Sequence, residues 1–214
     1  MIEVDSTPLI WFARLIGLHS RPLHRCTYLD WREHFWSVAD RRGWKVLYLG
    51  GAPGVAETAV ANVAARYPRA RILARHGYFD ATPGSAENAS VVAEVKAFAP
   101  DILFVGMGMP RQEAWIMSNL DALPPCVIFS VGAAFDYEAG VQKSAPRWMG
   151  KAGLEWLYRL LCDPKRLARR YLYEPWALTP RILADVTQAA ARRLKPGRPS
   201  RAAPIPAGPP KPAR

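Results

Sequence analysis

A short stretch in the middle of the chain carries residue types that could hold an anionic ligand. The apolar run Ile102–Val105 has the length of a buried strand. Six residues follow it that could contact a ligand: Gly106, Gly108, Pro110, Arg111, Gln112 and Glu113. The two glycines allow a tight turn and a close approach of the backbone, and the proline suits the first turn of a helix. A helix start that bears an arginine and an amide favours an anionic group. An ordinary strand–helix turn explains the same spacing, so both interpretations stay open at this point.

Two further strand–glycine units accompany this stretch. Lys45–Leu49 is a predicted strand that ends at Gly50 and Gly51 and leads into a predicted helix at Val55–Arg66. Cys126–Val131 is another apolar run, and it leads to Gly132, Phe135 and Asp136. The chain has neither the dinucleotide-binding fingerprint nor the P-loop motif. In an open α/β sheet, ligands bind outside the carboxyl ends of the strands, where all of these turns would lie.

The elements that must position these turns alternate along the chain. The further predicted helices are Leu9–Ile16, Tyr28–Arg42 and Ala89–Phe98, and the further predicted strand is Arg71–Arg75. A polar loop is predicted at Asp80–Asn88 and a second loop at Ser144–Trp148. Strands that alternate with helices predict an α/β fold, a Rossmann-like parallel sheet flanked by helices. We expect an α/β core at residues 1–143, a helical basic appendage at residues 144–194 and a disordered, basic, Pro-rich tail at residues 195–214.

Composition narrows the class of protein. The chain has 214 residues and three cysteines without a CxxC pair, which argues against a disulfide framework or a zinc site and fits a reducing cytoplasm. Its first residues do not read as a signal peptide, and the apolar runs are too short for a bilayer span. From Lys151 onward there are 14 Lys/Arg against four acids, so +10 of the net charge of +11 lies there. The partner of this region is therefore anionic, and a membrane surface, a pyrophosphate and a nucleic acid all fit the charge.

Five ordered motifs together resemble a known family, the WecG/TagA/CpsF glycosyltransferases (glycosyltransferase family 26). The motifs are DSTPLIWFARLIG at Asp5–Gly17, YLGGAPGVAE at Tyr48–Glu57, DILFVGMGMPRQEAW at Asp101–Trp115, VGAAFDYEAG at Val131–Gly140 and the run from Ala145 to Tyr171. The resemblance covers Asp5 to Tyr173 in register. Five motifs in the same order are far more specific evidence for this resemblance than one glycine turn.

The resemblance implies an inverting hexosyltransferase of surface polysaccharide or teichoic-acid-like biosynthesis. The implied donor is a UDP-sugar such as UDP-N-acetylmannosamine, and the implied acceptor is a sugar linked to undecaprenyl diphosphate. We expect the protein on the cytoplasmic, inner face of the plasma membrane, peripherally bound to an anionic surface and without a nucleic-acid partner. The chain contains no DxD triplet, and the family's behaviour implies neither a metal nor another cofactor.

The resemblance also assigns roles to individual residues. Asp5 occupies the place of the proposed general base, which would take the proton of the acceptor hydroxyl. The implied UDP-sugar-binding residues are Arg25, Gly50, Gly51, Gly106, Gly108, Pro110, Arg111, Gln112, Glu113, Phe135 and Asp136. Three arginines of the appendage, Arg159, Arg166 and Arg169, match those thought to meet the acceptor diphosphate or the leaving UDP. Bidentate guanidinium–phosphate pairing is the chemistry they would use.

One departure from the family pattern concerns the first residues. Family members carry a further strand–helix–strand unit before the aspartate, whereas Met1 stands four residues before Asp5 here. The resemblance therefore implies a chain that lacks the N-terminal part. From this we expect a chain that folds poorly or is inactive, because the parallel sheet would lose strands that cover core surface. The exposed apolar surface would favour association of copies of the chain. The alternative function is a truncated, non-catalytic protein that binds a nucleotide-sugar.

Overall fold

The computed structural model describes residues 7–21, 24 and 26–194, apart from the side chains of Arg147, Lys151, Arg166, Arg170 and residues 192–194. Its centre is a sheet of four strands: β1 (Lys45–Gly50), β2 (Arg71–Arg75), β3 (Ile102–Gly106) and β4 (Val127–Ser130). All neighbours pair in parallel, in the order β2-β1-β3-β4. The predicted α/β fold with a parallel sheet flanked by helices is confirmed.

Ten α-helices accompany the sheet in the described part of the chain. They are α1 (Thr7–Leu15), α2 (Tyr28–Arg42), α3 (Val55–Arg66), α4 (Ala86–Phe98), α5 (Arg111–Asn119), α6 (Ala134–Glu138), α7 (Arg147–Lys151), α8 (Glu155–Cys162), α9 (Pro164–Ala168) and α10 (Thr179–Leu194). A π-helical turn at Arg169–Tyr173 and a 3₁₀ turn at Glu174–Leu178 join α9 to α10. No described helix has the length and apolarity that a bilayer crossing requires.

The core lies on both faces of the sheet because β3 is buried at every position and β1 is buried from Val46 onward. Successive side chains of a strand point to opposite faces. Tyr48 and Phe104 therefore pack with α2, α3 and α6 on one face, in an aromatic cluster that includes Trp36. Leu47 and Leu103 pack with the α4–α5 side on the other face. Fully burying each large apolar side chain contributes about 2–3 kcal/mol, so this double layer holds the strand ends at fixed positions.

A buried polar cluster joins α4 to α5 on the second face. The indole N–H of Trp115 donates to the side-chain oxygen of Asn88 at 2.7 Å, and the Asn88 amide donates to the Asn119 side chain at 3.0 Å. Asn119 in turn donates to the backbone carbonyl of Trp115 at 2.8 Å. Each of these polar groups has a partner, so their burial costs little and fixes α5 against α4.

Two predicted loops end earlier than expected. The C-terminal bound of the loop predicted at Asp80–Asn88 is wrong, because α4 already begins at Ala86. The Ser85 side chain accepts a hydrogen bond from the Asn88 backbone N–H at 3.1 Å, which is an N-cap. The loop predicted through Trp148 is also wrong at its end, because α7 begins at Arg147. The predicted tail at 195–214 lies outside the described residues.

Candidate functional site

The carboxyl ends of β1 and β3 approach each other so closely that only glycine fits. Gly50 and Gly106 are register partners. A Cβ atom on Gly50 would lie 2.5 Å from the carbonyl oxygen of Gly106. A Cβ atom on Gly106 would lie 2.5 Å from the carbonyl oxygen of Gly132. The three glycines therefore converge at one edge of the sheet, and packing alone already requires two of them.

Tyr48 fills the space beneath this edge. A Cβ atom on Gly106 would lie 2.8 Å from the Tyr48 ring. The ring stacks on Phe135 of α6, with centroids 3.8 Å apart and an interplanar angle of 5°. Phe135 is fully buried. The structure thus places this predicted site residue in the core, where it supports Tyr48 rather than forming the surface of the edge.

Gln112 ties two of the turns together. Its side-chain oxygen accepts from the backbone N–H of Gly108 at 3.1 Å and from that of Gly132 at 3.2 Å. Its amide nitrogen donates to Glu113 at 2.7 Å. With only 3% of its surface exposed, Gln112 holds the turn after β3 against the turn after β4. The predicted contact of this amide with a ligand stays a prediction.

Arg111 points along the edge toward the loop that follows β2. Its guanidinium donates to the backbone carbonyl of Phe79 and lies 5.6 Å from the centroid of the Phe79 ring. The preceding turn contains Gly108 at φ +82° and a cis peptide bond between Met109 and Pro110. The predicted residues after β3 are therefore together at one edge, and the arginine contacts the loop that follows β2.

The helices that start at this edge carry acidic residues in their first turns. These are Glu57 of α3, Glu113 of α5 and Asp136 of α6. The Glu57 carboxylate accepts a hydrogen bond from the backbone N–H of Gly54 at 2.7 Å, so it already occupies the start of α3.

Burial, together with the charge of Asp136, raises the pKa of Tyr48 far above its ordinary value. The Tyr48 hydroxyl is therefore neutral at pH 7.

A cavity of about 870 Å³ lies between this edge and the C-terminal helices. Its lining is mostly apolar and comes from α1, the turn after β3 and the region from Gly153 onward. The lining residues are Thr7, Pro8, Leu9, Phe12, Met109, Gly153, Glu155, Trp156, Arg159, Tyr171, Pro175, Leu178, Arg181, Ile182 and Asp185. The cavity therefore lies against the predicted appendage and reaches the turn after β3 at Met109.

The three predicted appendage arginines lie on consecutive elements. Arg159 of α8 donates to the Tyr137 hydroxyl at 2.6 Å and to Glu155 at 2.8 Å, so it connects the appendage to α6. Arg169 is exposed at the start of the π-helical turn. The backbone of Arg166 lies in α9, and its side chain is not described. Asp5 and Arg25 lie outside the described residues.

Sequence reasoning missed Glu138, a buried carboxylate at the end of α6. It is 6% exposed. It accepts from the Tyr28 hydroxyl at 3.0 Å and from Arg32 at 3.3 Å, and it also pairs with Arg66. Burial and the Glu138 charge raise the pKa of Tyr28 above its ordinary value. The carboxylate therefore joins α6 to α2 and α3 and holds Phe135 under Tyr48.

Replacing Glu138 with glutamine is expected to lower the free energy of unfolding by about 2 kcal/mol. The amide keeps the shape but leaves two arginines without their counter-charge. Those side chains are 29% and 43% exposed, which limits the loss. Glu33→Gln is the matched control, because Glu33 contacts the same two arginines but is 64% exposed; it should cost no more than about 0.5 kcal/mol. Equal free energies of unfolding in urea for the two variants would contradict the role of Glu138 in joining α6 to α2 and α3.

No group of three or more His, Cys, Asp or Glu side chains in the described part of the chain is arranged to hold a metal ion.

Comparison with known proteins matches the chain to one family. The model described as "Glycosyl transferase WecG/TagA/CpsF family" matches residues 1–192. Similar curated relatives are the proteins named "N-acetylglucosaminyldiphosphoundecaprenol N-acetyl-beta-D-mannosaminyltransferase" of Staphylococcus aureus strains NCTC 8325 / PS 47 and COL. Each is 36% identical over 169 residues, which cover 78% of this chain and 63% of the relative. The chain thus spans somewhat less than two thirds of the length of these relatives.

Proposed function

Because the chain belongs to the WecG/TagA/CpsF glycosyl transferase family, we propose that it transfers a hexose from a UDP-sugar, with inversion, to an acceptor linked to undecaprenyl diphosphate. An N-acetylmannosamine-type sugar is the proposed donor group, by analogy with the names of the relatives. The single observation that carries the proposal is that Met109, in the turn that follows the glycine edge at β3, lines the large apolar cavity. One end of that arrangement suits a nucleotide diphosphate and the other suits a lipid.

The donor belongs at the glycine edge. The turns after β1, β3 and β4 meet there, and ligands of open parallel sheets bind at such carboxyl ends. Gly51 and Gly108 present backbone without side chains to an incoming ligand, and Gly50 and Gly106 let the turns come close enough to form the edge. In this proposal Arg111 and the helix starts face the diphosphate.

The chemistry needs one base and a stabilised leaving group. Asp5 takes the proton from the acceptor hydroxyl, and that oxygen attacks the anomeric carbon from the face opposite the UDP oxygen. The bond to UDP breaks as the new glycosidic bond forms, and the leaving diphosphate gains negative charge that arginines offset. Thr7 of α1 lines the cavity together with Met109 and Arg159, so α1 begins beside the turn after β3 and the appendage.

The acceptor belongs in the cavity and on the appendage. The mostly apolar lining suits an isoprenoid chain, and Arg159, Arg166 and Arg169 would meet its diphosphate. Large aromatic side chains of the appendage, including Trp148, are also exposed. Exposed aromatics interleaved with cations suit the interface of an anionic membrane. We place the protein peripherally on the inner face of the plasma membrane on this basis.

Product formation tests the proposal directly. The protein is incubated with a panel of UDP-sugars and a short-chain polyprenyl-diphosphate acceptor that carries N-acetylglucosamine. Mass spectrometry detects the disaccharide lipid, and a coupled assay detects released UDP. The expected result is a product one hexose heavier than the acceptor, with the anomeric configuration inverted. UDP-sugar binding without product for any donor would support the alternative, a non-catalytic nucleotide-sugar-binding protein.

Membrane association is expected to depend on the exposed aromatics of the appendage. Tyr173 and Trp176 are 75% and 72% exposed. Replacing both with serine should weaken binding to anionic liposomes about tenfold, since apolar area that would enter the interface is lost. Flotation with phosphatidylglycerol vesicles measures this. The control replaces Tyr78 and Met117, which are similarly exposed on the α/β core. Equal flotation of both double variants would contradict the proposal.

A further inference from the structure

The hydroxyl of Tyr48 is a buried polar group whose hydrogen-bonding capacity is unused. Tyr48 is 0% exposed. Its oxygen has no hydrogen-bond partner among the described residues. Buried hydroxyls are normally paired, because an unpaired one loses its bonds to water and gains nothing in return. Phenylalanine would fill the same space in the stack on Phe135 without this cost. The hydroxyl therefore needs an explanation that packing does not provide.

The hydroxyl is aimed at the glycine edge. It lies 3.3 Å from the position that a Cβ atom on Gly51 would occupy, and 2.9 Å from the corresponding position on Gly106. Both residues lack side chains, so glycine backbone surrounds the oxygen at the point where the turns after β1 and β3 meet. The turn after β1 leads into α3, a helix of 12 residues. A buried, unpaired donor thus faces the edge at which the nucleotide is proposed to bind.

The neighbourhood fixes which role the hydroxyl can play. Burial and the nearby charge of Asp136 keep it protonated, so it offers an O–H donor. The ligand atom it suits is therefore an oxygen acceptor, and a diphosphate oxygen is the strongest acceptor a nucleotide-sugar presents. The oxygen is closed off from solvent, and the cover on the β1 side is the turn at 51–54. Gly51 and Gly54 both have positive φ, +67° and +82°.

We propose that Tyr48 is a donor-binding residue whose hydroxyl donates a hydrogen bond to a diphosphate oxygen of the nucleotide-sugar when the turn at 51–54 shifts. The inference rests on the proposed function, since it uses the same edge and the same class of ligand. It adds a residue to which the family resemblance assigned no role. In this arrangement the unpaired hydroxyl lowers the stability of the free protein and raises its affinity for the diphosphate.

Calorimetric titration with UDP and with uridine tests the inference. Tyr48→Phe is expected to weaken UDP binding about tenfold, which corresponds to about 1.4 kcal/mol. Uridine, which lacks the diphosphate, is expected to bind both proteins equally. The melting temperature of Tyr48→Phe should equal or exceed that of the unsubstituted protein, because a buried unpaired group is removed. Tyr67→Phe is the matched control: its hydroxyl bonds Glu33 at 2.8 Å beyond the C-terminal end of α3, and UDP binding should not change.

The outcomes separate this inference from the proposed function. If the unsubstituted protein binds UDP and Tyr48→Phe binds it equally well, the inference is overturned while the function stands. If Tyr48→Phe weakens uridine as much as UDP, the assignment to the diphosphate is overturned. If the unsubstituted protein fails to bind UDP at all, the proposed function fails and this inference falls with it. A lower melting temperature for Tyr48→Phe would show that the hydroxyl is paired and would also overturn the inference.

Discussion

Gly106→Ala is expected to lower the free energy of unfolding by about 3 kcal/mol, at the upper end of the usual cost of overpacking. The added methyl group would lie 2.5 Å from the Gly132 carbonyl oxygen and 2.8 Å from the Tyr48 ring. The carbonyl belongs to the backbone of the next turn, and the ring is held between the sheet and Phe135. Neither neighbour can move without separating strand ends from α6. Urea unfolding monitored by tryptophan fluorescence measures the loss.

Gly54→Ala separates this collision from ordinary backbone strain. Gly54 has φ +82°, and no atom lies within 4 Å of the position of its Cβ. Because only the positive φ opposes a side chain there, Gly54→Ala should lower the free energy of unfolding by about 1 kcal/mol. Gly106 shows no positive φ, so its whole cost comes from crowding. If the two variants lost equal stability, close approach of the turns would not be the reason for glycine at position 106.

Asp5→Asn is expected to reduce kcat for sugar transfer by about 10²–10⁴-fold, the usual contribution of a general base. Asparagine keeps the size of the side chain but cannot accept the proton of the acceptor hydroxyl. Because the substitution removes only that step, UDP affinity should stay within about twofold of the original value, a change worth less than about 0.5 kcal/mol. The measurements are product formation by mass spectrometry and UDP binding by calorimetry on the same preparations.

Asp121→Asn supplies the comparison for this prediction. Asp121 is an exposed carboxylate in the 3₁₀ turn Leu120–Ala122. Asp121→Asn makes the same change of charge as Asp5→Asn, and Asp121 does not line the large cavity. Its turnover should equal that of the unsubstituted protein. Full activity of Asp5→Asn would remove Asp5 from the role of base, and a parallel loss of UDP binding would assign it to the donor instead.

The regular elements were predictable because local signals and burial agree. The predicted bounds of α2, α3 and β2 match those observed. At the end of α2, Gly43 adopts φ +63° and caps the helix, as a glycine after two arginines suggests. β1 reads as an apolar run because both of its faces are covered. The position of the candidate edge followed from the glycines that end these strands.

The contacts inside the edge were not predictable, because they depend on tertiary distances. Tyr28 and Glu138 are 110 positions apart in the sequence and meet only because α2 and α6 pack on the same face. α6 has five residues, too few for a hydrophobic periodicity to show. The inward direction of Gln112 likewise appears only when the turns after β3 and β4 lie side by side, and the stacking of Tyr48 on Phe135 appears only when α6 packs on the sheet.

The acidic residues that begin α3, α5 and α6 have a consequence for ligand affinity. A nucleotide diphosphate approaching the glycine edge meets Glu57, Glu113 and Asp136, so like charges oppose it. Arg159 connects to this edge through the Tyr137 hydroxyl, at the far end of α6. Arg159 also pairs with Glu155 at 2.8 Å, so its part at this edge is to tie the appendage to α6. A movement of the lipid-facing helices would then reach the helix that carries Asp136, which couples the nucleotide end of the sheet to the state of the appendage.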